Sequence, residues 1–245
     1  QKAWFFFDKE IVCLGSGINC SAAEPVVTTL NQTWLNGPVV WNGKEQMSTD
    51  SLVRNVKQGE YVMHNQVGYY FPEAMKIALT AKEQSGSWYR INRSRSKDAV
   101  HGKVFKLWVE HAAKPVNGSY AYIVVPGVDQ IDKRAMQQLK IWHNTPAIQA
   151  VEHLGLAAIQ AVFYESGTYQ IGAWSIQVDK PVILQITKGN SVFKLDVADP
   201  LQQEKAVRIH LINKRAKVNQ TVEIKLPQAE YAGSTSSETI PRGNK

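Results

Sequence analysis

A period of two dominates this chain. In 206–213 the apolar Val207, Ile209 and Leu211 alternate with Arg208 and His210, and in 221–226 Val222, Ile224 and Leu226 alternate with Glu223 and Lys225. Phe193, Leu195 and Val197 are interleaved with Lys194 and Asp196, and Val182, Leu184 and Ile186 repeat the device. Successive side chains of a strand point to opposite faces, so the pattern predicts half-buried antiparallel strands, apolar inward and polar outward. The stretch from Tyr120 to Val125, closed by Pro126-Gly127, is apolar at both sets of positions and predicts a central strand ending in a turn. Phe105 to His111 predicts another strong strand. Turn residues recur between these runs at Asn36-Gly37-Pro38, Asn42-Gly43, Asn117-Gly118, Ser166-Gly167 and Lys188-Gly189-Asn190.

Helical signals are confined to two stretches. Residues 129–141 open on Asp129, carry mixed charge and predict one or two turns leading out of Pro126-Gly127; residues 50–59 open on Asp50 and close on Gly59 more weakly. The fold class is therefore all-β, an antiparallel β-sandwich followed by a smaller C-terminal β-sandwich. The boundary is placed near Gln138, within the charged segment 129–140, giving domains of residues 1–138 and 139–245. Residues 231–245 lose the alternation and predict a last short strand with a frayed tail. There is no internal repeat and no heptad run.

Composition narrows the classes. With 44% hydrophobic and 20% charged residues in 245, the chain is neither disordered nor low-complexity. Its apolar runs fall far short of the ~18 residues that cross a bilayer as a helix, so no membrane role is expected. Lys and Arg number 28 against 21 Asp and Glu, a formal charge of +7 that favours an acidic partner: nucleic acid, an anionic membrane surface or an acidic polysaccharide. The chain opens Gln1-Lys2-Ala3-Trp4-Phe5-Phe6-Phe7, without an initiator Met or an apolar leader. That aromatic run is costly in water at ~25 cal/mol per Å². It predicts the interior of a buried strand whose neighbours lie upstream, and so a piece of a longer protein whose chemistry precedes Gln1.

Candidate chemistry is sparse. Cys13 and Cys20 flank Leu14-Gly15-Ser16-Gly17-Ile18-Asn19, read as a Gly-rich hairpin turn that brings the two thiols within disulfide reach. In the other reading Cys13 is a small buried strand residue and Cys20 a loop thiol. Gly15-Ser16-Gly17 lacks the Lys-Ser/Thr and helix of a phosphate loop. None of the six histidines, at 64, 101, 111, 143, 153 and 210, has metal-ligand spacing, so no metal site is expected, and His210 falls on an outward strand face. His64-Asn65 with Tyr69-Tyr70 assembles a base, a carboxamide and phenols, although a hairpin with aromatic packing explains the same residues.

The densest basic segment is Arg90-Ile91-Asn92-Arg93-Ser94-Arg95-Ser96-Lys97, directly after Trp88-Tyr89. Trp88, Arg90, Arg93 and Arg95 are the candidate binding residues: cations neutralise sulfates or carboxylates and a ring stacks on a sugar. A solvated loop is the plainer reading. No RNA-recognition or OB-fold signature supports a nucleic-acid partner. Asn-x-Ser/Thr triplets at Asn31, Asn92, Asn117 and Asn219, and the Asn19-Cys20-Ser21 variant of the form, carry no weight, since chance matches are common.

Several segments taken in order are more specific. From Lys2 to Ile18 the chain closely resembles a strand-and-turn region of the chondroitin AC lyases. The segments 28–37, 67–72, 102–108, 119–127 and Ala198-Asp199-Pro200-Leu201-Gln202 follow in the family's order, so the resemblance runs from Lys2 to about Ile240. The chain resembles polysaccharide lyase family 8, nearest to chondroitin AC lyase, with hyaluronate and xanthan lyases more distant. Departures are small: Cys20 replaces a small polar residue, and extra residues lie around 234–237.

The resemblance implies a parent enzyme with an N-terminal α/α toroid, a central β-supersandwich and a small C-terminal β-sandwich. Residues 1–138 then correspond to the later part of the supersandwich and 139–245 to the C-terminal domain. The family cleaves acidic glycosaminoglycans such as chondroitin sulfate or hyaluronan by β-elimination at a uronic acid, with an Asn and a His neutralising the carboxylate, a Tyr as base and acid, and an Arg assisting. Those residues lie in the toroid, so no catalytic residue is expected here, and Tyr69 and His64 are not the family's pair. What the family implies is thus a noncatalytic support for toroid and substrate cleft, partnered by the toroid and an acidic glycosaminoglycan, in a secreted or periplasmic bacterial protein. No cofactor is expected in this stretch, with a structural calcium assigned to the full-length enzyme. The rival reading is a stand-alone carbohydrate-binding module for anionic glycans.

Overall fold

The computed structural model describes residues 1–46 and 52–242. In chain order the first strands are β1 (Lys2–Phe6), β2 (Ile11–Ile18), β3 (Pro25–Trp34), β4 (Val39–Trp41), β5 (Lys44–Gln46) and β6 (Leu52–Val56). They are followed by β7 (Tyr61–His64), β8 (Val67–Tyr70), β9 (Met75–Gly86), β10 (Val100–Ala113) and β11 (Gly118–Pro126). After the single helical turn α1 (Lys133–Met136) come β12 (Leu139–Asn144), β13 (Ile148–His153), β14 (Ala158–Phe163), β15 (Gly167–Ile171) and β16 (Trp174–Val178). The last are β17 (Val182–Lys188), β18 (Val192–Ala198), β19 (Ala206–Asn213), β20 (Val218–Lys225) and β21 (Ser236–Pro241). Every strand pair with a resolved register is antiparallel, as the alternation requires.

Two compact units divide the chain. One holds 8–13 and 18–131, the other 132–245 together with 1–7 and 14–17. In the first unit, strands in the order β2-β11-β8-β7-β4-β5 face a second sheet, β3-β10-β9-β6. One buried cluster fills the gap, with Val62, Tyr69 and Tyr122 from the first sheet against Ile77, Leu79, Phe105 and Leu107 from the second. β11 is central, between β2 and β8, which is why its residues 120–123 are buried on both faces.

His111 of β10 belongs to this unit and shares a 2.8 Å hydrogen bond, through Nε2, with Thr28 Oγ1. Burial holds its imidazole below the ordinary histidine value. The unfolded chain therefore binds a proton near pH ~6.5 that the folded unit refuses until lower pH. The stability linked to His111 is full above that pH and is lost as pH falls through it toward the folded value. His111→Gln is expected to flatten the fall in melting temperature between about pH 7.5 and pH 5.5, measured by calorimetry. An unchanged slope would remove His111 from the account.

In the second unit a sheet ordered β12-β13-β14-β17-β18-β21 faces β15-β16-β19-β20. Its core joins Phe163, Leu184, Ile186 and Leu195 to Ile171, Ile176, Ile209 and Leu211. The period of two is realised directly: Val207, Ile209 and Leu211 are buried while Arg208 is exposed. The final strand β21 pairs with β18 from Val192↔Pro241 to Val197↔Ser236 and buries Ile240 completely.

Some expectations are corrected. The helix expected at 50–59 is the strand β6, paired with β9 from Leu52↔Leu79 to Val56↔Met75; Asp50 and Ser51 lie outside the described residues. The alternation of Leu79, Ala81 and their neighbours on the partner strand outweighs a lone Asp start signal. In 129–141 only one turn forms, with Asp132 accepting from the Arg134 amide at 2.8 Å as its N-cap. The N-terminal aromatic run is not buried on both faces. Phe5 is buried, but Trp4 and Phe6 are 50% and 64% exposed, because β1 alternates like the other strands.

Candidate functional site

The basic segment 90–97 forms the tip of the β9–β10 hairpin, whose arms pair from Val100↔Gly86 to Val109↔Ile77. Trp88–Arg90 makes a 3₁₀ turn, and the Asn92 amide donates to the Trp88 carbonyl at 2.9 Å. The loop closes where the Tyr89 amide donates to Ser96 O at 3.1 Å, and Asn92 Oδ1 accepts from the Ser94 amide at 3.0 Å. The Tyr89 ring carries two cations, Arg93 with its guanidinium carbon 4.7 Å from the centroid and Lys97 with Nζ at 5.0 Å. Trp88 is 59% exposed, and Arg90 and Arg95 are exposed as well. The fold thus brings Arg93 and Lys97 together on Tyr89, and leaves Trp88, Arg90 and Arg95 on the open surface of the same tip. Such a tip presents positive charge and one indole face to an anion without enclosing it.

The His64 group is not an active site. The β7–β8 hairpin turns at Asn65 and Gln66 with φ of 50° and 60°, the left-handed pair that a two-residue turn matching strand twist requires. His64 is 2% exposed, its ring 4.5 Å from Phe105 and its Nε2 3.1 Å from the Trp34 carbonyl. Tyr69 is 3% exposed and its hydroxyl accepts from the Asn31 amide side chain. Burial pushes the Tyr69 phenol up, and pushes Tyr122 up further, with the Cys13 thiol beside it adding to the effect. Phenols held protonated in a core are poor bases; this is aromatic packing.

Gly15-Ser16-Gly17 is likewise not a hairpin turn but the interior of β2, and it does not draw the cysteines together. Five residues of strand separate Cys13 from Ile18 by roughly 17 Å, against a disulfide reach of ~7 Å between Cα atoms. Neither cysteine is in a disulfide; Cys13 is buried and Cys20 partly exposed. Among the described residues no three His, Cys, Asp or Glu side chains cluster where they would hold a metal ion. Among them too, no helix is long and apolar enough to cross a membrane, which says nothing of β-barrels.

A hollow that sequence reasoning missed lies in the C-terminal sandwich. It has a volume of about 580 Å³ and is lined by Trp142, Glu152, Gln170, Ser175, Lys214 and Arg215. Trp142 reaches it through a β-bulge: Ile141 pairs with Val151 and His143 with Ala150, leaving Trp142 as the extra residue. A bulge re-aims one side chain and leaves no mark in the alternation, so the only sequence signal was a Trp among Lys140, His143 and Asn144.

The family models divide the chain at residue 139, whereas the compact units divide after Ile131, with 1–7 and 14–17 joined to the second. The profile of the polysaccharide lyase family 8 super-sandwich domain matches residues 1–138, and that of the family's C-terminal beta-sandwich domain matches 140–208. Strands β20 and β21 continue the same sandwich beyond the second match. Chondroitinase-AC of Pedobacter heparinus is 43% identical over 239 residues, which are 96% of this chain and 34% of the relative. A hyaluronate lyase of Thermasporomyces composti is 29% identical over 220 residues, 85% of this chain and 28% of the relative. A solved structure of chondroitinase AC lyase, from a study of enzyme–oligosaccharide complexes, superposes with a TM-score of 0.91 at 41% identity, covering 97% of this chain and 36% of that one. The chain therefore spans about a third or less of the length of the curated relatives it matches. From both its domain matches and these likenesses, the chain belongs to polysaccharide lyase family 8.

Proposed function

We propose that this chain is the noncatalytic β-portion of a bacterial glycosaminoglycan lyase, secreted or periplasmic. The intact protein cleaves chondroitin sulfate or hyaluronan by β-elimination at a uronic acid, and this portion supports an N-terminal α/α toroid and walls the substrate cleft. One observation carries the reading: the likeness to a chondroitinase AC extends over 96% of this chain but 34% of the relative. The chemistry here agrees, since the His64–Tyr69 grouping is packed into a core at 2% and 3% exposure. The structural calcium of the intact enzyme is assigned to the rest of the protein.

The test is the rise in ultraviolet absorbance of the unsaturated uronate when this chain meets chondroitin sulfate or hyaluronan. No rise is expected with either. Sustained turnover would overturn the assignment.

A second reading, a binding module for anionic glycans, is favoured by the exposed Trp88 beside Arg90, Arg93 and Arg95. Retention on a chondroitin column that survives ~0.5 M salt supports it, because screening at that ionic strength removes diffuse attraction. Elution below that salt sinks it.

A further inference from the structure

The hollow at Trp142 is one half of a longer trough within the C-terminal sandwich. A second hollow of about 230 Å³ shares Glu152, Ala173 and Arg215 with it and runs on past Lys188 and Arg242. The combined space is of the order that binds small ligands, ~300–1,000 Å³. Its walls have three properties that belong together in a saccharide site.

The first is a held aromatic face. Trp142 is 43% exposed, yet its indole N–H donates to Glu152 Oε2 at 2.8 Å, so the ring is fixed at its polar edge while a face stays open. An amphipathic ring so anchored offers a flat apolar surface to the C–H face of a pyranose at little entropic cost.

The second is positive charge. Lys214 and Arg215, in the β19–β20 turn, are exposed and have no ion-pair partner among the described residues; Lys188 is exposed beyond them. Arg242 lies over Phe193 with its guanidinium carbon 5.7 Å from the ring, and donates to the Asn190 carbonyl at 3.1 Å. Four cations line the trough against the carboxylate of Glu152, whose Oε2 accepts from the indole.

The third is room kept by glycine. Gly172 has φ +58°, and a Cβ there would stand 2.6 Å from Glu152 Oε2. Any larger residue would push Glu152 off the indole. Gln170 closes the wall, its side-chain N–H donating to the Gly172 carbonyl at 3.0 Å.

We infer that this trough binds an acidic oligosaccharide, with one sugar ring on Trp142 and a carboxylate or sulfate between Lys214 and Arg215, independently of the Trp88–Lys97 loop. The inference rests on the proposed function only for the class of sugar, a polyanion. A hydrophobic ligand does not suit four cations and a carboxylate, and a bare phosphate makes no use of the indole.

The whole chain is titrated calorimetrically with a chondroitin sulfate hexasaccharide and with neutral maltohexaose. Binding of the first alone is expected, weakened about tenfold or more in Trp142→Ala and in the double variant K214A/R215A, since truncating an aromatic or arginine anchor commonly costs that much. These side chains are on the surface, and unchanged melting curves confirm that the variants fold. The triple variant R90A/R93A/R95A is titrated alongside, so that binding through the loop and binding through the trough are read separately. Equal binding of maltohexaose overturns the acidic class. Loss confined to the triple variant, or no binding by the parent, overturns the trough while leaving the turnover test of the proposed function where it stood. Turnover by the parent, with hexasaccharide binding still sensitive to Trp142, overturns the proposed function and keeps the trough.

Discussion

Asp199→Ala is expected to lower the melting temperature of the C-terminal unit by about 10 °C. Asp199 is only 3% exposed, yet its carboxylate accepts from three backbone amides: Leu201 to Oδ1 at 2.8 Å, Gln203 to Oδ2 at 2.7 Å and Glu204 to Oδ2 at 2.9 Å. It is the hub on which the loop between β18 and β19 is wound. Hydrogen bonds to a charged acceptor are worth ~1.5–3 kcal/mol each, and water reaching part of the exposed loop recovers some of the loss, leaving about 3 kcal/mol. For a domain of this size that is ~10 °C.

Burial alone would push the Asp199 carboxyl up, but the amides of Glu204, Gln203 and Leu201 overrule it and hold it below the usual carboxylate range. The folded value is thus depressed. The stabilisation is full above the unfolded value of ~3.9 and is lost as pH falls from there toward the folded value. Calorimetry of parent and variant across that range gives the check. A gap in melting temperature of less than about 2 °C at neutral pH, or one that does not close on acidification, would refute the hub.

The second large effect is Phe105→Ala, expected to cost the N-terminal unit about 4 kcal/mol. Phe105 is fully buried at the centre of β10, with the His64 ring 4.5 Å and the Tyr69 ring 6.4 Å away. The neighbours come from the opposite sheet and are themselves pinned, His64 by carbonyls and Tyr69 by Asn31, so the cavity has little means of collapse. Denaturation followed by near-ultraviolet circular dichroism gives the value. Ile183→Ala, on a residue 38% exposed, serves as the control and should stay within about 0.5 kcal/mol. A Phe105 variant matching that control would mean that the core does not depend on this ring.

The sandwich architecture was readable wherever one sheet face meets water. β19 is the plain case: Val207, Ile209 and Leu211 go inward and Arg208 outward, as the alternation requires. β11 was readable for the opposite reason, since a strand buried on both faces has no polar positions to alternate. Glycine misled. At Gly15-Ser16-Gly17 it reads as a turn, but Gly17 takes φ +66° within a continuous strand and its missing side chain leaves 3.2 Å between a Cβ and Pro146 Cγ. Close approach to a distant residue, rather than chain reversal, is what that glycine permits.

The candidate sites were legible to different degrees for similar reasons. A run such as 90–97 is local, so its charge and its neighbouring Trp88 appear in the sequence as they do in the loop. The trough is not local. Trp142 and Glu152 share the β12–β13 hairpin, but Gln170 and Lys214 belong to the opposite sheet, and nothing joins the two pairs before the sheets pack. Its aromatic member is also turned outward by a bulge that side-chain periodicity does not encode.

The unjoined cysteines have a practical consequence. A fold whose two thiols are not joined in a disulfide owes no stability to oxidation, so it should form equally well in reducing cytosol and in an oxidising medium. Reductant should leave its melting curve in place. With Cys13 sealed in the core, Cys20 is the thiol within reach of a maleimide, and a single fluorophore or spin label can be set on the native sequence without engineering a site.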